Sequence, residues 1–354
     1  MTERIETLVI LGAGGDLTAR LLLPGVASFL ATEEGQPLTI IGVDRGEVSA
    51  SEWRERVSAA FESFPSAIGR KVAKSSRYMQ GDATSSADLQ RVLDAATGRV
   101  AVYFALPPAV AALACRALGE LSLPEGIVLA LEKPFGTDLA SAKALNRLIE
   151  TMVPERQVFR VDHFLGKSTV LNLIGLRFAN RIFEPLFSSE NVAKVEIIVD
   201  ESLALENRAG YYDKAGALID MIQSHLLLVL ALVAMEPPAS LDPDDLRGAM
   251  AQVLRATRTW RKNGTSSRRA RYGAGSIDGR RLPAYVDEDG VDPSLKTETL
   301  AEVTLAIDNW RWAGVPFVLR SGKALGENRQ DVVVTFKEVP HLPVGLSGVA
   351  GPSA

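Results

Sequence analysis

The chain is poor in the residues that build disulfides and metal centres. Among 354 residues there is one cysteine, Cys115, and there are three histidines, His163, His225 and His341. A lone cysteine forms no intramolecular disulfide, and no cysteine cluster exists to hold zinc. Cys115 lies in an apolar stretch and reads as a small buried hydrophobe. An excess of basic charge is missing too. The formal net charge is −4, which lacks the basic footprint of a nucleic-acid binder. Long apolar runs are also absent. Val100 to Cys115 is interrupted by Pro107-Pro108, and Leu226 to Met235 has ten residues, short of the roughly 18 of a membrane span. The N-terminal MTERIETLVILGAGG carries acidic residues and a short apolar run ending in glycines, unlike a secretory signal. These absences point to a soluble, cytoplasmic protein with no nucleic-acid or membrane partner.

What is present suits a globular enzyme. Hydrophobic residues make up 47% and charged residues 23%, ordinary values that supply ample core. The length predicts two domains, or one large α/β unit. Through residue 160, apolar runs at Thr7–Leu11, Leu38–Val43, Val100–Leu106 and Ile127–Leu131 alternate with helical spacings such as Leu17–Leu30. Continuous apolar strands separated by helices predict an α/β, doubly wound parallel sheet, a Rossmann domain over residues 1–160. Residues 161–354 read differently. Helices are predicted at Lys167–Phe187, Leu218–Ala234 and Asp242–Lys262, and strands at Val195–Val199, Thr299–Ile307, Val315–Leu319 and Val332–Phe336. Asn263–Glu298 reads largely as loop, and the final GLSGVAGPSA as no closing element.

Four stretches carry chemistry. LVILGAGGDLTARL places glycines between a strand and a helix, where Gly12 allows a tight turn and Gly15 lets backbone approach a pyrophosphate. Thr18 stands where the usual fingerprint has Gly or Ala, and a plain turn is the competing reading. The second strand ends in Asp44-Arg45. An acidic residue there suits the 2′-hydroxyl of NAD and an arginine the 2′-phosphate of NADP, so the pair leaves both open. Lys133-Pro134 follows a predicted strand and is a candidate cis bond. Taken alone, Lys133 reads first as a surface lysine and second as a donor to a substrate oxygen or a partner of a phosphate. RVDHFLGKS groups Asp162, His163 and Lys167, while His225 opens an apolar helix, where a lone histidine is more often a satisfied core residue. His341 reads as a surface histidine.

Together these stretches resemble the glucose-6-phosphate dehydrogenase family. The resemblance runs from about residue 7 to residue 340 and includes GAGGDLTARLLLP, LEKPFGTDLASA, RVDHFLGKS, LRFANRIFEPLF, AGYYDKAGALIDMIQSHLL, VAMEPP and IDNWRWAGVPFVLRSGKAL. It implies a second, α+β domain with a large, mainly antiparallel sheet serving substrate binding and dimerisation. It also implies NADP-dependent oxidation of D-glucose 6-phosphate to 6-phosphoglucono-lactone, with NAD as the alternative cofactor. His225 becomes the general base and Asp162 its partner. His163 and Lys167 become phosphate ligands, Glu201 and Asp220 acceptors for sugar hydroxyls, and Lys323 a further substrate lysine. Lys133 would serve both substrate and cofactor, and Gly12, Ala13, Gly14, Gly15, Asp16, Leu17 and Arg45 the cofactor. Alternatives are a relative using another sugar and a non-catalytic homologue. The chain departs from the family pattern at five places: Gly14 replaces a serine, Asp44 a small residue, Phe164 a tyrosine, Ser168 a glutamate and Ser224 an asparagine. The family forms homo-oligomers, and this chain stops before the family pattern does, which predicts an incomplete sheet and interface.

Overall fold

Six strands pair in parallel in the first of two compact units, Met1–Val161 and Asp162–Ala354. The computed structural model describes residues 4–136, 138–206, 209–261, 266–341 and 343–344. In the first unit these are β1 (Thr7–Leu11), β2 (Thr39–Asp44), β3 (Arg77–Gln80), β4 (Val100–Phe104), β5 (Val128–Glu132) and β6 (Val158–Val161). Their order, β3-β2-β1-β4-β5-β6, is that of a dinucleotide-binding sheet. Both faces are covered. Val9, Leu11, Ile41 and Val43 pack into one core and Ile10 and Ile40 into another, which is why these strands read as unbroken apolar runs. The edge strand β3 is half exposed along its length and carries Arg77 and Gln80, so its sequence lacked that signature. The predicted first helix divides into a π-helical turn, Thr18–Leu22, and an α-helix, Leu23–Leu30.

The second unit contains a sheet ordered β14-β7-β13-β12-β8, with β9 also on β12. Its strands are β7 (Val192–Asp200), β8 (Thr257–Thr259), β9 (Ser267–Ala270), β12 (Leu300–Ile307), β13 (Phe317–Gly322) and β14 (Arg329–Phe336), while β10 (Gly275–Ile277) and β11 (Arg280–Leu282) form a separate hairpin. Pairing is antiparallel except between β7 and β13. Three expectations shift. The helix expected over Lys167–Phe187 ends at Phe178 and is followed by a separate 3₁₀ turn at Glu184–Leu186. The helix expected to reach Lys262 ends at Ala256, because Thr257–Thr259 is captured by the edge of β12. Part of the expected loop after it forms β9 to β11. The terminal GLSGVAGPSA lies outside the described residues.

One helical stretch runs through this unit's core, from Ala209 to Ala234. By length and composition it could cross a membrane, although no single uninterrupted apolar run does so. Here its apolar part packs against the sheet, with Leu226, Leu230 and Val233 in one cluster with Val195, Ile197, Phe317 and Leu319. Its end is tied down by two motif residues. Arg177, fully buried, donates to Leu232 O at 3.0 Å and Met235 O at 2.9 Å while holding Glu184 at 2.9 Å. Trp312 Nε1 donates to Ala234 O at 2.8 Å. Orphan carbonyls at a helix C-terminus need such donors, and this anchors the helix that bears His225.

Candidate active site

The glycine loop leaves β1 at the point where the strand order reverses, between β2 and β4. Gly12 has φ +88°, and a Cβ on it would sit 2.2 Å from Ala105 O, so only glycine fits. Gly12 and Ala13 both donate to Val43 O. Thr18, the residue foreign to the usual fingerprint, is buried and its hydroxyl donates to Gly12 O at 3.0 Å. It therefore braces the loop. Gly15 opens onto the following helix, where a Cβ would meet only Gly12 O within 4 Å. This cradle fits a pyrophosphate, which unpaired N–H groups at a helix start attract. Asp16 is exposed and pairs with Arg20 at 3.3 Å, and Leu17 is half-buried beside it. Asp44 closes β2 with its carboxylate on the loop, accepting from Gly14 N at 2.9 Å and from Arg45 N at 2.7 Å. The Arg45 side chain is exposed. Lys133 follows β5, half-buried, at a cis Lys133-Pro134 bond.

The second unit holds the other predicted residues. Two local devices set their positions. Gly216, at φ +67°, breaks the helical stretch, and Glu298 Oε1 accepts from Leu218 N at 3.0 Å. A Cβ at position 216 would lie 2.6 Å from that same oxygen. From Leu218 to Leu226 the chain is π-helical, a form concentrated at functional sites. Its i→i+5 bonding puts Asp220 and His225 about one turn apart on the helix.

His225 is fully buried, and its Nδ1 lies 2.7 Å from Asp162 Oδ2. Asp162 Oδ1 meanwhile accepts from Phe164 N at 2.9 Å and Leu165 N at 3.4 Å. Burial pushes the Asp162 carboxyl up, but the His225 hydrogen bond and charge and these two N–H groups outweigh it, and the net shift is downward. The opposite ring atom, His225 Nε2, is buried with no hydrogen-bond partner among the described residues. A carboxylate on Nδ1 with a free Nε2 is an imidazole oriented to accept a proton at Nε2. Phe164 stacks on the His225 ring at 4.4 Å and 19°, and His163 meets it edge-on at 4.5 Å. Lys167 Nζ sits 3.9 Å above the Phe164 ring and donates to Gln330 Oε1 at 2.8 Å. Phe164, Lys167 and Gln330 border a cavity of about 220 Å³ with Leu226 and Asp331.

A second group lies along the same helical stretch. Glu201 and Lys323 form an ion pair, and Lys323 Nζ is 5.4 Å from the centre of the Tyr212 ring. Asp220 Oδ1 accepts from Tyr211 Oη at 3.2 Å. The Tyr212 hydroxyl is buried without a partner among the described residues, and burial, followed by Asp220 and Glu298, drives its pKa upward. It is thus a protonated donor. Neither Tyr212 nor Gln330 stood out in the sequence, since a tyrosine pair and a strand glutamine carry no spacing signal.

Glycine loops at the switch point of a parallel sheet serve dinucleotides, and a carboxylate-backed imidazole with a free nitrogen is an acid–base device. The combination places the chain among the Rossmann-fold oxidoreductases. Residues 9–172 match the model for the glucose-6-phosphate dehydrogenase NAD binding domain, and residues 174–349 the model for the C-terminal domain of the same enzymes. The chain belongs to the glucose-6-phosphate dehydrogenase family. It is 40% identical over 351 residues to glucose-6-phosphate 1-dehydrogenase of Rhizobium meliloti, covering 94% of this chain and 70% of that one. The Bacillus subtilis enzyme is 38% identical, with 94% and 71% covered. Among solved structures, a glucose-6-phosphate dehydrogenase in complex with glucose 6-phosphate superposes with a TM-score of 0.87 at 30% identity, covering all of this chain and 75% of that one. The Mycobacterium avium enzyme gives 0.82 at 34%, covering 96% and 74%.

Proposed function

We propose that the protein oxidises D-glucose 6-phosphate at C1 to 6-phospho-D-glucono-1,5-lactone, the entry step of the oxidative pentose phosphate pathway. The observation that carries this is the buried His225, held at Nδ1 by Asp162 and free at Nε2. His225 Nε2 takes the proton of the C1 hydroxyl. Asp162 fixes the tautomer and stabilises the imidazolium that results. The nicotinamide dinucleotide that Gly12 to Leu17 would hold would supply the acceptor for the hydride of C1. Lys167 and His163 hold the phosphate through charge-assisted hydrogen bonds. Glu201, Asp220 and Lys323 orient the sugar hydroxyls, and Lys133 serves the substrate and the cofactor. The first unit binds the dinucleotide on Gly12 to Leu17, and the second binds the sugar and forms homo-oligomers.

Family resemblance names NADP+ as the cofactor, with Arg45 for its 2′-phosphate. Asp44 on the glycine loop favours a second reading, NAD+. The activity is tested by following reduced cofactor at 340 nm (an assay wavelength) with glucose 6-phosphate, in the wild type and in His225→Asn. Activity that needs the sugar phosphate and falls about 10²- to 10⁴-fold in the variant is expected. No turnover by the wild type with either cofactor sinks the reading.

A further inference from the structure

Gly14 in the glycine loop and Asp44 at the end of β2 touch each other: Gly14 N donates to Asp44 Oδ2 at 2.9 Å. A Cβ on residue 14 would lie 3.0 Å from that oxygen, tighter than ordinary contact. Glycine at 14 therefore makes room for the carboxylate at 44.

The carboxylate is fixed from both ends. Oδ2 is held by Gly14 N and Oδ1 by Arg45 N at 2.7 Å. It cannot swing away from an approaching anion without breaking both bonds. Each oxygen keeps a further lone pair, so the group can accept from the hydroxyls of an unmodified ribose with no reorganisation. It sits at the end of β2, where a Rossmann fold receives the adenosine ribose. Arg45 offers a cation next door, but its field is shared. Its charge acts on Asp82, whose carboxyl is held below the usual range first by Thr84 and also by Arg45. An exposed arginine whose charge also acts on Asp82 is poorly placed to bind a phosphate alone, because water and salt screen it.

We infer that Asp44, seated on Gly14, selects a dinucleotide with a free ribose 2′-hydroxyl, so that NAD+ is preferred over NADP+ and Arg45 is not the selector. This rests on the reading of the glycine loop as the dinucleotide site. Binding is measured apart from turnover, by titrating the full chain with NADH and with NADPH and following ligand fluorescence. Tighter binding of NADH is expected in the wild type. Asp44→Ala weakens NADH roughly 10- to 150-fold, the worth of hydrogen bonds to a charged group, and brings NADPH level or ahead. Asp44→Asn, which keeps the shape and removes the charge, moves the ratio the same way. Gly14→Ser shifts it too, by displacing the carboxylate. Tighter NADPH binding in the wild type, a ratio unmoved by Asp44→Ala and Asp44→Asn, or no binding of either dinucleotide overturns the inference. NADH binding that responds to Asp44 without oxidation of glucose 6-phosphate upholds it and overturns the proposed reaction instead.

Discussion

His225 Nδ1 and Asp162 Oδ2 meet at 2.7 Å from positions 63 residues apart. The carboxylate comes from the segment that follows β6 and the imidazole from the π-helical segment in the core. Asp162 is held by two backbone N–H groups as well, so the imidazole docks on a carboxylate already locked in place.

Asp162→Asn should leave the fold intact and lower kcat about 10²- to 10⁴-fold by removing the group that fixes the tautomer and stabilises imidazolium. The same residue makes a stability prediction. Its folded pKa lies below its unfolded value, so its contribution is complete above the ordinary value of about 3.9. That contribution drains away as pH falls through the lower folded value. Urea midpoints measured from pH 6 down to pH 3 should therefore fall more steeply for the wild type than for Asp162→Asn. Parallel curves would contradict the shift.

Phe164 keeps its ring against His225 and under Lys167 but offers no hydroxyl. Phe164→Tyr should add a donor toward the phosphate. It should raise the ratio of kcat/KM for glucose 6-phosphate over glucose by up to roughly 10- to 150-fold. An unchanged ratio means that the phosphate is held elsewhere.

Gln330 holds Lys167 by its ammonium group. Gln330→Leu should raise KM for the sugar phosphate several-fold with little change in kcat, because it frees a binding cation without touching His225. A fall in kcat at unchanged KM would show that Gln330 acts on chemistry and not on the phosphate ligand.

Arg177 is fully buried between Glu184 and two helix-end carbonyls. Arg177→Met leaves both carbonyls without this donor and Glu184 with Arg311 alone, and should cost about 3–5 kcal/mol in urea unfolding. Glu184→Gln should cost less, since Arg177 keeps its carbonyl bonds. Equal losses would show that the ion pair, and not the helix cap, carries the stability.

Cys115 is buried, which pushes its thiol up to about 12. At pH 8 a disulfide reagent should leave it unmodified in the native protein and modify one thiol per chain in urea. Fast native labelling would mean that this region opens readily.

Local sequence determined much of the first unit. Strands covered on both faces are mostly apolar, so β1, β2, β4 and β5 were visible as runs to within two residues at either end, and Gly12 marked the turn that only glycine can make. The edge strand Arg77–Gln80 was not visible, because half its surface meets solvent and polar residues serve there. In the second unit the apolar helix was legible but its π-helical segment was not. That geometry depends on Gly216 and on Glu298, which comes from the end of a loop 80 residues on. Arg177 and Trp312 stood in recognisable motifs, yet their work as helix-end donors appears only when residues 55 and 78 positions distant arrive beside them. Asp44 shows the limit most sharply. The sequence placed an acid and a base side by side at the end of a strand. Which way the carboxylate turned was decided by the Gly14 amide, brought to it by the pairing of β1 with β2, because hydrogen-bond direction belongs to three-dimensional neighbours and not to chain order.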